Sequence, residues 1–346
     1  MENMSRRYLE LRDKQILKVL LLIFIPLVSF LASLLIGRYE ISPYLAIHIL
    51  ASKILPISSD IPRKIEIIMI HVRLPRALAA VFVGSALALS GTAFQGLFRN
   101  PLVSAKILGV ASGAGFGAAL GLLISGDPVV VQGLSFIFGV AAVVMAYGIS
   151  RTYRETSMLT LVLAGIAVGA FFSALTSLLK YVADPYERLP SIVFWLMGSL
   201  SAVSFKEISL GFIPIIVPCL ILVAARWRLN ILSLGEEEAK ALGINVERMR
   251  MLIIGCCTLM TSAAVSMAGV VGWVGLVVPH ICRMLVGPDH RVLIPASISI
   301  GAAYLLIVDC IARTVAPFEM PLGVLTSVIG APFFFYLLRG RVSGWR

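Results

Sequence analysis

Charge is what this sequence has least of. Only 14% of its 346 residues are Asp, Glu, Lys or Arg, against 59% hydrophobic residues and a mean hydropathy of +0.97. That balance excludes an ordinary soluble globular domain. Acidic residues are the scarcer sign, 18 against 29 basic ones. The one carboxylate at membrane depth is Asp309, at the end of an apolar run. Ion-coupled transport and intramembrane catalysis both need ionisable groups converging within the bilayer, so this scarcity counts against each. No H-E-x-x-H helix and no G-x-x-x-x-G-K-[ST] phosphate loop occurs, so the chain does not bind ATP in the usual way. The five cysteines lie in apolar runs without metal-ligand spacing and read as small buried hydrophobes. His280, alone beside Pro279, reads as a helix-packing or hydrogen-bonding residue, and no metal is assigned.

What the chain does have is long apolar runs. Residues 19–37, 77–98, 107–126, 128–150, 156–179, 208–225, 251–279, 292–308 and 320–338 contain no Asp, Glu, Lys, Arg or His. A spanning helix needs about 20 such residues, and the 251–279 run is too long for one. Its Gly269–Gly275 region predicts a break, with a further helix through Pro279 to about Leu285, which makes ten spans. The shorter run 189–205 reads as a helix at the outer surface. Between the first two spans, 38–73 reads as an external segment interrupted by Pro43, Pro56 and Pro62, with a short interfacial helix over 65–72.

The net charge of +11 reports orientation and does not point to nucleic acid. Arg6, Arg7, Arg12, Lys14 and Lys18 precede the first span, Arg151 and Arg154 follow the fourth, and Arg339, Arg341 and Arg346 follow the last. This positive-inside pattern places both termini in the cytoplasm of a multi-pass protein of the cytoplasmic membrane. The first span reads as uncleaved, since no small-residue cleavage site follows it.

The densest charge lies between two apolar runs, in RWRLNILSLGEEEAKALGINVERMR from Arg226 to Arg250. Such an island sits outside the bilayer. Ser233 and Glu236 have capping-box spacing, and Glu236, Glu237 and Glu238 fall in a first helical turn, where the dipole favours anions. Glu236 and Lys240 are spaced i,i+4, Gly243 terminates the helix, and Asn245 caps a second short helix toward Arg248 and Arg250. An ordinary solvated loop is the plain alternative.

GEEEAKALG looks like the Glu-Ala-Ala-type cytoplasmic loop of ABC importer permeases. AGVVGWVGLVVPHICRMLVGPDHRVLIP, ALALSG with the following NPL and LG, WLMGSLS and PLGVLTSVIGAPFFFYLLRG together resemble the FecCD-type permeases that import iron-siderophores, haem or vitamin B12. The resemblance covers nearly all of 73–340. It implies an all-α polytopic membrane protein with the type II ABC importer permease fold, one transmembrane domain over 1–346 and inverted-repeat halves. It implies a permease subunit, not an enzyme, paired with a second copy, two ATP-binding subunits and an extracytoplasmic substrate-binding protein. No cofactor is expected in this chain; ATP and Mg belong to the partner ATPase. The alternative from another class is an ion-coupled secondary transporter.

Site residues follow from the same resemblance. Gly235, Glu236, Glu237, Glu238, Ala239, Lys240, Leu242 and Gly243 match the ATPase-coupling loop, within coupling helices over about 233–250. Arg73, Arg76 and Arg313 match arginines that meet the external binding protein in the B12 branch, although arginines at a helix mouth also snorkel to headgroups, and Asp309 stands i,i+4 to Arg313. Gln95 and Asn100 are expected along the pathway. Alignment on Leu163-Ala164-Gly165 places the cytoplasmic gate on Met158 and Leu159, beside Thr156 and Ser157, where a plain capped helix start is the alternative. The chain departs from the family where Val103, Ser104, Ala105 and Lys106 replace its usual Ala, acidic residue and Pro. Gly91, Pro101 and Gly109 recur at an offset of 178 as Gly269, Pro279 and Gly287, a weak echo of a duplicated architecture.

Overall fold

The computed structural model describes residues 20–53, 62–151 and 158–339, and the described residues are helices joined by short turns. The helices are α1 (Leu20–Leu35), α2 (Pro43–Ser52), α3 (Arg63–Ile67), α4 (Leu74–Leu97), α5 (Val110–Ile124), α6 (Pro128–Ser150) and α7 (Met158–Val182). After these come α8 (Arg188–Met197), α9 (Phe205–Leu234), α10 (Glu236–Ala241), α11 (Val246–Ala268), α12 (Val274–Val286), α13 (His290–Thr314) and α14 (Leu322–Arg339). Six rods are long and apolar enough to cross a membrane: Arg63–Leu97, Pro128–Ser150, Met158–Val182, Phe205–Leu234, Val246–Ala268 and His290–Thr314. The other four expected spans are the shorter helices α1, α5, α12 and α14. The 13 residues of α12 reach about 20 Å, less than a hydrocarbon core of about 30 Å. The break at 269–273 precedes it, where the sequence predicts one, and such backbone is tolerated at depth only when buried in protein.

Two expectations for the first external segment are corrected. Pro43 starts a helix rather than interrupting one: Ser42 caps α2, and proline at the first helical position loses no hydrogen bond. The expected interfacial helix over 65–72 has no end of its own, because α3, a π-helical turn (Ile68–Arg73) and α4 run on as one rod. That turn carries Arg73 at its end and brings it inside the protein.

The bundle forms around α4, from which 19 residues are buried. With lipid on the outside, helices gain by close approach, and small residues permit it. A Cβ on Gly84 would lie 2.2 Å from the Gly301 carbonyl oxygen of α13, and one on Gly91 would lie 2.0 Å from the Gly275 oxygen of α12. Gly113 and Gly117 of α5 seat against the Phe138 and Leu134 carbonyls of α6 in the same way. Thr92 Oγ1 adds a 2.7 Å hydrogen bond to Ser297 Oγ across the α4–α13 contact. Gly91→Ala is therefore expected to destabilise the protein by about 1–3 kcal/mol through overpacking. Thermal unfolding in detergent checks this, with Gly133→Ala as the control, since no atom lies within 4 Å of a Cβ there.

The sequence echo does not mark equivalent places. Gly91 lies inside α4 whereas Gly269 ends α11, and Pro101 lies in a turn whereas Pro279 lies inside α12. Three coincident residues in a glycine-rich chain carry no topology.

Candidate coupling element and translocation path

The charged island is a hairpin of helices, built differently from its sequence reading in two respects. α9 runs nine residues past Ala225, burying Leu229 and Leu232, so Ser233 is a helical residue whose Oγ donates to the Asn230 oxygen at 2.6 Å. The expected capping box at Ser233 is therefore absent; Gly235 is the N-cap of α10. The second short helix is the first turn of the span α11, capped by Asn245, whose Oδ1 accepts from Arg248 N at 3.0 Å. Between them Gly243 takes φ +78, its N–H donates to the Lys240 oxygen, and Ile244 N donates to the Ala239 oxygen. This paired C-terminal closure is one that glycine makes without steric cost.

Ion pairs then fasten the hairpin. Arg250 of α11 is buried and pairs with Glu236 of α10 and, at 3.3 Å, with Glu247. Tyr147 of α6 donates to Glu247 Oε1 at 3.0 Å. Lys240 pairs with Glu237 rather than with the expected Glu236, because Arg250 engages Glu236. Ala239 faces inward with no exposure, whereas Glu237, Glu238 and Leu242 face out, Leu242 with 61% of its surface open. The result is a knob with an apolar tip ringed by carboxylates. The sequence supplied its residues but not Arg250 as its anchor.

Beside the knob, a cavity of about 560 Å³ brings together Gln95, Arg99, Asn100, His280, Arg283 and His290. Gln95 Nε2 donates to the Gly275 oxygen at 3.3 Å, and the Asn100 side chain accepts from Leu102 N at 2.9 Å. Arg99, at the end of α4, holds the left-handed conformation with φ 49, and Trp273, at the break before α12, does so with φ 66. Non-glycine residues rarely adopt it. Among the described residues these are the two non-glycine residues that do. Asp289 caps α13, and hydrogen bonds from Arg291 and then Asn230 hold its carboxyl well below the usual carboxylate range.

Of the gate residues, Thr156 and Ser157 lie outside the described residues. Met158 packs against the core while Leu159 is 68% exposed, so the two side chains face different surroundings. Only Leu159 presents its side chain outward.

The three arginines expected to dock a binding protein are buried and internally paired, with 4%, 7% and 8% exposure for Arg73, Arg76 and Arg313. Arg73 donates to the Leu34 and Leu35 oxygens at 2.7 and 2.8 Å, and Arg313 donates to the Ser33 oxygen at 2.7 Å. These are free carbonyls of the last turn of α1, where the helix dipole favours a cation. Arg76 donates to both Asp309 oxygens at 2.8 and 3.0 Å and pairs with Glu319. The docking expectation is therefore corrected: these guanidiniums tie α1, α4 and α13 together, and none forms a free rim charge.

Comparison with known proteins shows the family. The profile of the FecCD transport family matches residues 22–340. The molybdate import system permease protein MolB of Haemophilus influenzae is 41% identical, over 90% of this chain and 92% of its own. The hemin transport system permease protein HmuU of Yersinia pestis is 40% identical over 78% and 83%. The cobalamin import system permease protein BtuC of Halobacterium salinarum is 39% identical over 83% and 77%. A solved metal-chelate type ABC transporter in an inward-facing conformation superposes with a TM-score of 0.82 at 39% identity, covering 92% of this chain and 97% of that one.

Proposed function

Since the chain belongs to the FecCD transport family and is the permease subunit of an ABC importer, an integral membrane protein and not an enzyme, we propose that two copies form one passage for a metal chelate or a metal oxyanion. An extracytoplasmic binding protein delivers the cargo, and two separate ATPase subunits, holding ATP and Mg, drive the passage open and shut. Both termini lie in the cytoplasm, on the side of α10. The observation that carries this reading is the docking knob: a six-residue helix beyond the end of α9, locked to α11 by Arg250, with Leu242 and two glutamates outward. ATPase closure pulls on the knob, and the Arg250 link transmits the pull to α11. The cargo range expected from sequence, iron chelate, haem or cobalamin, widens to molybdate, because a molybdate permease stands among the relatives.

An ion-coupled carrier is disfavoured by Asp309, which Arg76 neutralises inside the protein and which is not free to load a cation. The test is uptake into proteoliposomes holding the permease, its ATPase and its binding protein loaded from growth medium. Uptake is expected to need internal or external ATP at the ATPase face and to be indifferent to a protonophore. Uptake that continues without nucleotide and collapses with the protonophore overturns the importer mechanism.

A further inference from the structure

The face of the bundle between α5, α7, α8 and α14 holds two adjoining cavities, of about 350 and 400 Å³, that share Lys106, Leu196 and Val270 as walls. Their chemistry departs from the apolar chain around them. On α7, Ser173, Thr176, Ser177 and Lys180 fall at i, i+3, i+4 and i+7, which places them on one face of a mostly apolar helix. Ser112 of α5 faces them, its Oγ 3.3 Å from that of Ser173. Lys106 enters from the 3-10 turn (Ala105–Leu108) and lays its ammonium over the broken backbone before α12, where a Cβ on Gly272 would lie 2.8 Å from its Nζ.

Among the described residues no carboxylate lines either cavity, and neither Lys106 nor Lys180 has an ion-pair partner. Lys106 is exposed and Lys180 half-buried, whereas the buried arginines are answered within the protein: Arg76 by Asp309 and Glu319, Arg250 by Glu236 and Glu247, and Arg73 and Arg313 by carbonyl oxygens. Two ammoniums open to cavities of the bundle with no carboxylate beside them leave a positive field that attracts an anion. Hydroxyls donate readily to oxygen acceptors, so the lining that carries both ammoniums can also hydrogen-bond an oxyanion.

We propose that Lys106 and Lys180, with the hydroxyls of Ser112, Ser173, Thr176 and Ser177, form an anion-binding stretch of the translocation path, so that cargo crosses as an oxyanion or as a metal chelate bearing carboxylates. This deepens the importer reading and takes its direction of travel from it, but the site is testable on the permease dimer without ATPase or nucleotide. Lysines of the full chain in lipid nanodiscs are 13C-methylated, and the resonance missing from Lys106→Arg is that of Lys106. Titration with sodium molybdate or with ferric citrate is expected to shift that resonance saturably, while uncharged methyl glucoside leaves it in place. Lys180→Gln is expected to weaken the apparent affinity by about tenfold, the loss of one charge-assisted contact. A variant that does not fold is recognised by loss of the dimer, and Ser177→Ala, expected to weaken binding about threefold, then replaces it. A Lys106 resonance that moves with neither anion, or equally with the sugar, overturns the anion site and leaves the ATP-driven importer standing. Failure of ATP-driven uptake overturns the importer and leaves the titration to decide the site.

Discussion

Replacing Arg250 by alanine is expected to cut ATP-driven uptake by at least about tenfold while the permease still reaches the membrane. Arg250 is the buried cation joining the first turn of α11 to Glu236 of the coupling helix. Breaking a buried pair on one side typically costs about 3–5 kcal/mol, because the other members keep their burial and lose their partner. Here Glu236 is half exposed and returns to water, so the loss falls on the link between α10 and α11 rather than on the fold. ATP hydrolysis is expected to continue without responding to the loaded binding protein. Arg250→Lys keeps the charge but not the two-pronged reach to Glu236 and Glu247, and is expected to fall between parent and alanine. The check is uptake and ATP turnover measured on the same proteoliposomes. Unchanged coupling in Arg250→Ala would show that motion enters the bundle elsewhere.

Arg76→Ala is expected to be the most damaging single change to stability. The guanidinium is buried, and its loss leaves Asp309, with no exposure, facing only Arg313 at 3.5 Å. A cost of about 3–5 kcal/mol is the ordinary consequence of stranding a buried charge. Arg76→Ala combined with Asp309→Ala is expected to recover part of that loss, because the stranded carboxylate goes with it. Thermal unfolding of both variants in the same detergent decides the matter. Equal melting of Arg76→Ala and the parent would mean that the pair contributes nothing, and that the guanidinium is free to act at the outer surface after all.

How far the site was legible depended on the range of the interactions that build it. The hairpin could be read because its signals are local: Gly243 needs no partner to take φ +78, and Asn245 caps a helix three residues away. The capping box at Ser233 misled because spacing does not say where the preceding helix stops. Burial of Leu229 and Leu232 carries α9 past it. Arg73 and Arg76 looked like rim charges from their place before an apolar run. One extra residue in the π-helical turn and the approach of α1 and α13 turned them inward. Lys106 was visible as a departure from the family pattern, but nothing in the sequence placed Lys180 and four hydroxyls beside it.

The sequence alone determined the membrane class, the position of the long apolar runs, the break at 269–273 and the family, because apolar run length, backbone conformation and motif order are all properties of neighbouring residues. The tertiary structure decided which charges are answered and by whom. Arg76 meets Asp309 across 233 residues, Arg313 meets Ser33 across 280, and Lys106 meets no carboxylate among the described residues. In a low-dielectric interior the fate of a charge depends on what the fold brings within a few ångströms of it, and that neighbour is set by helix packing rather than by sequence proximity.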